Sequence, residues 1–210
     1  MSLRNISSDL YEKVTPEQVL NHPVWSMGSK ITVDSATFAN KAFEVIAAKW
    51  LFDIKYSNIE ILVHPESIIH SMVEFNDGSV KAQLGLPNMR IPIQYALTYP
   101  NHLPANWESL DLINIGSISF ENPDLEKFPC IRLSYEALQE GGSFPIVLNI
   151  ANDTAVTSFL NKHIQFNDIP RLIENALNKH TFIKEPNMKN IFELSHWTEN
   201  YVHNQIAAIA

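Results

Sequence analysis

Asn40, Lys41 and Glu44 stand close together in the segment VDSATFANKAFE, residues 33–44. On a helix, residues three and four apart share a face, so the amide and the ammonium both project beside the carboxylate. That set suits a metal-plus-anion site. Glu44 offers a hard oxygen to a divalent cation, while Lys41 and Asn40 offer donors to a phosphate or hydroxyl. Ser35 is expected near the start of the same helix, where unpaired backbone N–H groups favour an anion. A solvated helix start carrying an ordinary Lys–Glu pair has the same pattern, and spacing alone favours that plainer account.

Other residues invite weaker readings. His22 stands beside Pro23, where a histidine is more often part of a turn than a catalyst. Trp25 and Met27 lie in the loop VWSMGS, and two accounts stay open for them: a lid closing over a ligand, or packing against the chain's own core. His64 and His70 flank HPESIIH, a spacing interrupted by Pro65 that does not match a helical zinc pair. Cys130 has no histidine in a catalytic arrangement nearby and reads as buried and inert.

The elements that must position these residues follow from patterning. Thr15-Pro16-Glu17-Gln18 is a capped helix start, ended by His22-Pro23. Lys30 to Val33 reads as a short β-branched stretch, followed by a helix capped by Asp34 or Ser35 and running to about Phe52. Ile59 to Val63 reads as a buried strand. Ile68–Phe75 and Ser79–Leu86 flank Asn76-Asp77-Gly78, a hairpin signal, and the alternation of Val80, Ala82 and Leu84 with Lys81 and Gln83 predicts one buried and one wet face. A Pro- and Asn-rich connection follows, with a short strand expected at Leu110 to Phe120. Four helices are expected at about 130–139, 145–162, 168–179 and 188–208. The fold class is α+β: a small sheet with a hairpin in a first region (1–99), a linker (100–129) and a C-terminal four-helix bundle (130–210).

Composition narrows the partners. The chain has 210 residues with 23 acidic and 15 basic side chains, a net charge of −8, which argues against nucleic-acid binding. No run approaches the roughly 18 apolar residues of a membrane span. One cysteine, and first residues without a secretion signal, read as a reduced, cytoplasmic setting. Six glycines form neither GxGxxG nor a P-loop, so no complete nucleotide-binding motif is present.

Three long motifs carry a resemblance: HPVWSMGSKITVDSATFANKAFEVIAAKWLF, ILVHPESIIHSMVEFNDGSVKAQLGLPNMRIPIQYAL and GGSFPIVLNIANDTAVTSFL. Together they resemble 1-deoxy-D-xylulose 5-phosphate reductoisomerase, over nearly the whole chain from about Leu3. The resemblance implies that His22 and Ser35 bind the substrate phosphate and neighbouring groups. It implies that Asn40 and Lys41 bind substrate, and that Glu44 contacts both substrate and Mg²⁺ or Mn²⁺, with Lys41 and Glu44 catalytic. It places Gly28, Met27 and Met89 near the nicotinamide of NADPH and Trp25 in the closing loop. It further implies a homodimer formed through the sheet and a phosphosugar substrate. A complete family member also has a Gly-rich dinucleotide domain, a D-S-E motif with further metal-ligand carboxylates and an S-G-G phosphate motif. None of these precedes His22. The chain is therefore expected to be the C-terminal part of such an enzyme, nearly inactive alone; the alternative is a purely structural or dimerisation module.

Overall fold

A computed structural model describes residues 8–21 and 27–209. Its mostly helical chain with a small antiparallel sheet makes an α+β protein, divided into two compact units. The first unit comprises Met1–Glu60 with Asp124–Ala210, and the second Ile61–Pro123. The division differs from the expected boundaries near 99 and 129. The reason is that the helices before residue 60 pack on the C-terminal helices.

In the first unit, α1 (Pro16–Leu20) begins with the expected reciprocal cap: Gln18 N–H donates to Thr15 Oγ1, and Thr15 N–H donates to Gln18 Oε1 at 2.9 Å. Then come α2 (Ser29–Ala36) and α3 (Ala39–Phe52). Lys30 to Val33 is thus helical, against its β-branched composition. Thr32 N–H and Oγ1 both bond to the Gly28 carbonyl, and Thr32, Val33 and Asp34 are buried, so packing overrides propensity. The expected single helix is also broken. Phe38 adopts the left-handed region at φ 61°, ψ 11°, a conformation that costs a bulky residue about 1–3 kcal/mol. Its ring lies 4.5 Å from that of Phe128, which holds the break in place.

All four expected helices of the C-terminal half are present: α6 (Pro129–Glu140), α7 (Phe144–Leu160), α8 (Asp168–Lys179) and α9 (Met188–Ile209). The amphipathic α8 buries Ile169, Leu172, Ile173, Ala176 and Leu177, a helical stripe. α9 buries Leu194, Thr198, Val202 and Ile206 at every fourth residue. α7 lies between them and is buried nearly all round, with Val147, Ala151, Ala155 and Val156 fully inaccessible. Full burial of such aliphatic side chains is worth roughly 1.5–3 kcal/mol each, which is why this helix organises the unit. α2 also packs on α7, and α3 on α6.

The second unit holds the hairpin. Strands β1 (Ile69–Glu74) and β2 (Val80–Leu84) pair with Glu74 opposite Val80 and Met72 opposite Ala82. Gly78, at φ 81°, supplies the left-handed turn residue, and Asp77 accepts bonds from the Ser79 N–H and hydroxyl. The one buried face that alternation predicts is absent: Val80 is 54% exposed and Val73 57%. The expected strand at 59–63 reduces to one bridge, Val63 with Glu121. Helix α4 spans Arg90–Thr98. Instead of a strand at 110–120, the short helix α5 (Leu112–Ile115) forms, because Asp111 accepts from the N–H groups of Ile113 and Asn114.

Candidate active site

The first two turns of α3 bring the three singled-out residues together. Lys41 Nζ lies 2.6 Å from Glu44 Oε2, and Asn40 Nδ2 donates to Glu44 Oε1 at 2.8 Å. Both carboxylate oxygens are therefore engaged by donors one helical turn back. The group is open to solvent, with Lys41 44% and Glu44 54% exposed. An exposed ion pair of this kind contributes little to stability, about 0–1 kcal/mol, so its geometry is available for other work.

Ser35 does not stand at a helix N-terminus. It lies in the last turn of α2, and its hydroxyl donates to the Ile31 carbonyl at 2.8 Å. The helix-dipole argument for an anion at Ser35 therefore fails. What remains is a hydroxyl that can exchange one acceptor for another. Gly28 is the N-cap of α2 and is exposed, with open space where a Cβ would stand. Met27, just before it, is half-buried. Met89 belongs to the second unit, where it caps α4 and is 55% exposed. His22 and Trp25 lie outside the described residues.

Behind this exposed face is a buried network that spacing did not reveal. Asp34, 3% exposed, accepts from Asn152 Nδ2 at 2.9 Å, and Asn152 is fully buried on α7. Lys30 Nζ bridges Asp34 and Asp153 at 2.8 Å each. Partial burial alone would lower the pKa of Lys30, but the hydrogen bonds to Asp153 and Asp34 outweigh it and raise the pKa. Cys130 on α6 is fully buried. Burial pushes its thiol up to about 12, and the nearby Asp34 charge adds to the shift. A buried carboxylate in an otherwise β-branched stretch was the available signal, but its partner stands 118 residues away.

As to a metal, Glu44 is a hard oxygen donor of the right type. Among the described residues no group of three His, Cys, Asp or Glu side chains stands close enough to hold an ion. Divalent ions of this class take about six oxygen ligands, so these residues can furnish one of them. Two clefts occur elsewhere, of about 480 Å³ beside Lys162 and Arg171 and about 340 Å³ beside Tyr95 and His102, and neither is lined by the α3 group. No helix among the described residues is long and apolar enough to cross a membrane.

Two family models match the chain. One, described as the DXP reductoisomerase C-terminal domain, covers residues 84–201. The other, the 1-deoxy-D-xylulose 5-phosphate reductoisomerase C-terminal domain, covers residues 1–52. The chain is 54% identical over 189 residues to 1-deoxy-D-xylulose 5-phosphate reductoisomerase of Acetivibrio thermocellus, covering 90% of this chain and 50% of that protein. It is 52% identical over 199 residues to the protein of that name from Chloroherpeton thalassium, covering 95% and 51%. Among solved structures, the Zymomonas mobilis reductoisomerase in complex with NADPH matches with a TM-score of 0.89 at 40% identity, covering 97% of this chain and 52% of that one. A DOX-P reductoisomerase in complex with NADPH, fosmidomycin and magnesium matches with a TM-score of 0.93 at 36% identity, covering 99% and 53%. The chain thus spans about half the length of the curated relatives it matches.

Proposed function

The chain belongs to the DXP reductoisomerase family, and from that membership we propose that it is the C-terminal half of an enzyme converting 1-deoxy-D-xylulose 5-phosphate to 2-C-methyl-D-erythritol 4-phosphate in non-mevalonate isoprenoid biosynthesis. The observation that carries the reading is the convergence of Asn40 and Lys41 on the two oxygens of Glu44, within a segment matched by the family model.

The proposed reaction has two halves. The α-hydroxy ketone phosphate rearranges to a branched aldehyde, and a hydride from NADPH with one proton then reduces that aldehyde to the alcohol. Both halves develop negative charge on substrate oxygens. The Lys41 ammonium and Asn40 amide are donors that can turn from Glu44 to those oxygens, holding them in place and stabilising the charge. Ser35 can exchange the Ile31 carbonyl for the substrate phosphate, and we assign His22 to the same phosphate. Glu44 would furnish one ligand to Mg²⁺ or Mn²⁺, which when bound supplies Lewis-acid stabilisation of the substrate oxygens. Gly28, Met27 and Met89 would face the nicotinamide of NADPH, and Trp25 would belong to the closing loop. We assign the enzyme to the cytoplasm, in keeping with one buried, unpaired cysteine.

We further propose that the enzyme is a homodimer formed through the hairpin sheet. Met72 and Val80 are exposed on one face of the hairpin together with Ala82, an apolar patch that a partner would cover. The same surface supports a second reading for the chain by itself, a dimerisation module without turnover.

A chimera tests the proposal. This chain replaces the corresponding half of the Acetivibrio thermocellus relative, and NADPH oxidation is followed with the deoxyxylulose phosphate and Mg²⁺. Substrate-dependent oxidation is the expected result. A folded chimera that oxidises no NADPH, beside an active parent, would overturn the enzymatic reading.

A further inference from the structure

The α3 group is exposed and makes its bonds locally, so nothing within it fixes where it stands. That placement comes from α2, which meets α3 at the left-handed Phe38 and is itself tied to α7. The tie is polar and buried. Asn152 is fully inaccessible, its Nδ2 donates to Asp34, and its Oδ1 has no hydrogen-bond partner among the described residues. An amide kept at the centre of the most buried helix with one oxygen unsatisfied is a poor choice for stability alone, because such an atom costs about 1–3 kcal/mol. Asp34 is held from a second side by Lys30, which also reaches Asp153 on α7. The buried Asn152–Asp34 bond and the half-exposed Lys30–Asp153 pair both link α2 to α7, and together they restrain α2 in rotation and in height along α7. Apolar packing resists sliding less selectively. Thr37, one residue before the break, donates to the carbonyls of Val33 and Asp34 and accepts from Ala39 N–H, which carries the fixed orientation of α2 into the first residue of α3.

We propose that Asp34 and Asn152 are positioning residues for this site: their buried hydrogen bond locks α2 on α7 and thereby sets where Asn40, Lys41 and Glu44 stand. The inference rests on the enzymatic reading for its kinetic consequence, but its geometric content does not.

The test uses the chimera and its variants Asp34→Ala, Asn152→Ala, the double variant, and the conservative Asp34→Asn, which keeps an acceptor for Asn152. Kinetics are measured well below the melting temperature with saturating Mg²⁺ and NADPH. Each alanine variant is expected to lose about 10²-fold in kcat/KM, as displacements of about an ångström do. The double variant should lose no more than the worse single, because the two act as one unit. Asp34→Asn should recover at least about tenfold of the Asp34→Ala loss, which loss of bulk stability would not produce at a temperature where every variant is folded. If Asp34→Ala does not fold, Asn152→Ala and Asp34→Asn carry the comparison. The side-chain amide signal of Asn40, observed by NMR in asparagine-labelled chimera, reports the geometry without turnover. It should shift in the alanine variants and return toward the parent position in Asp34→Asn. Turnover within about twofold of the parent, or additive losses, would overturn the proposal. If the parent chimera turns over no substrate, the enzymatic reading fails. The Asn40 signal then decides this one: unmoved, the positioning role falls; moved and restored, it stands.

Discussion

Lys41 Nζ stands 2.6 Å from Glu44 Oε2, three residues along one exposed helix face. In the protein as folded, the charge of Glu44 is held by this ammonium on one oxygen and by the Asn40 amide on the other. A catalytic role therefore has these donors leave the carboxylate for the substrate, and a merely structural role has them stay.

Those alternatives separate in the Glu44→Gln and Lys41→Ala variants of the chimera. Glu44→Gln keeps shape but removes the charge, so turnover should fall by roughly 10²–10⁴. The melting temperature should barely move, since exposed pairs are worth under about 1 kcal/mol. Lys41→Ala should lower turnover and raise the substrate KM. Steady-state kinetics beside melting curves check both, and near-normal turnover for Glu44→Gln would displace the site from this helix.

The hairpin makes a prediction about assembly. Its exposed Met72 and Val80, on one face, favour self-association, so the 210-residue chain should sediment as a dimer at micromolar concentration and above. Replacing Met72 and Val80 by Lys should return it to a monomer with its helical content unchanged. A clean monomer for the unaltered chain would count against the sheet as the interface.

Cys130 predicts an alkaline weakness. Burial, then the Asp34 charge, raises its thiol from 9.0 to about 12. A raised folded-state pKa means the group's contribution is complete below pH 9 and is lost as pH rises from there toward 12. The slope approaches roughly 1.4 kcal/mol per pH unit for one proton. Urea unfolding at pH 8 and at pH 10.5 should therefore show a larger loss for the parent chain than for Cys130→Ala. Parallel losses would mean the thiol ionises as readily in the fold as outside it.

Gly142 fixes how the α6–α7 turn meets the chain after α8. Its φ is 50°, and an added Cβ would clash with the Ile183 carbonyl oxygen, which accepts from Ser143 N–H. Gly142→Ala should destabilise by more than about 1 kcal/mol. In a chain of this size that lowers Tm by about 2–4 °C or more. An unchanged melting curve would show that the turn adapts freely.

Much was legible without coordinates. The four C-terminal helices, the Thr15 cap and the Asp77-Gly78 hairpin turn all depend on contacts within a few residues, so the local sequence determines them. The side-by-side placement of Asn40, Lys41 and Glu44 is equally local, because helical geometry alone puts i, i+3 and i+4 on one face. What the sequence could not decide rests on partners far along the chain. Lys30 to Val33 became helix because packing on neighbouring helices, α7 among them, buries its Thr32 and Val33 face. Phe38 became a left-handed break because Phe128 receives its ring. Ser35 ended in a last helical turn instead of a first one, and Asp34 met Asn152 across 118 residues. The hairpin pattern predicts a buried face, but which surface is covered depends on what packs there, and alternation encodes only the capacity for it. Local hydrogen bonding is written residue by residue; burial is a property of the assembled chain.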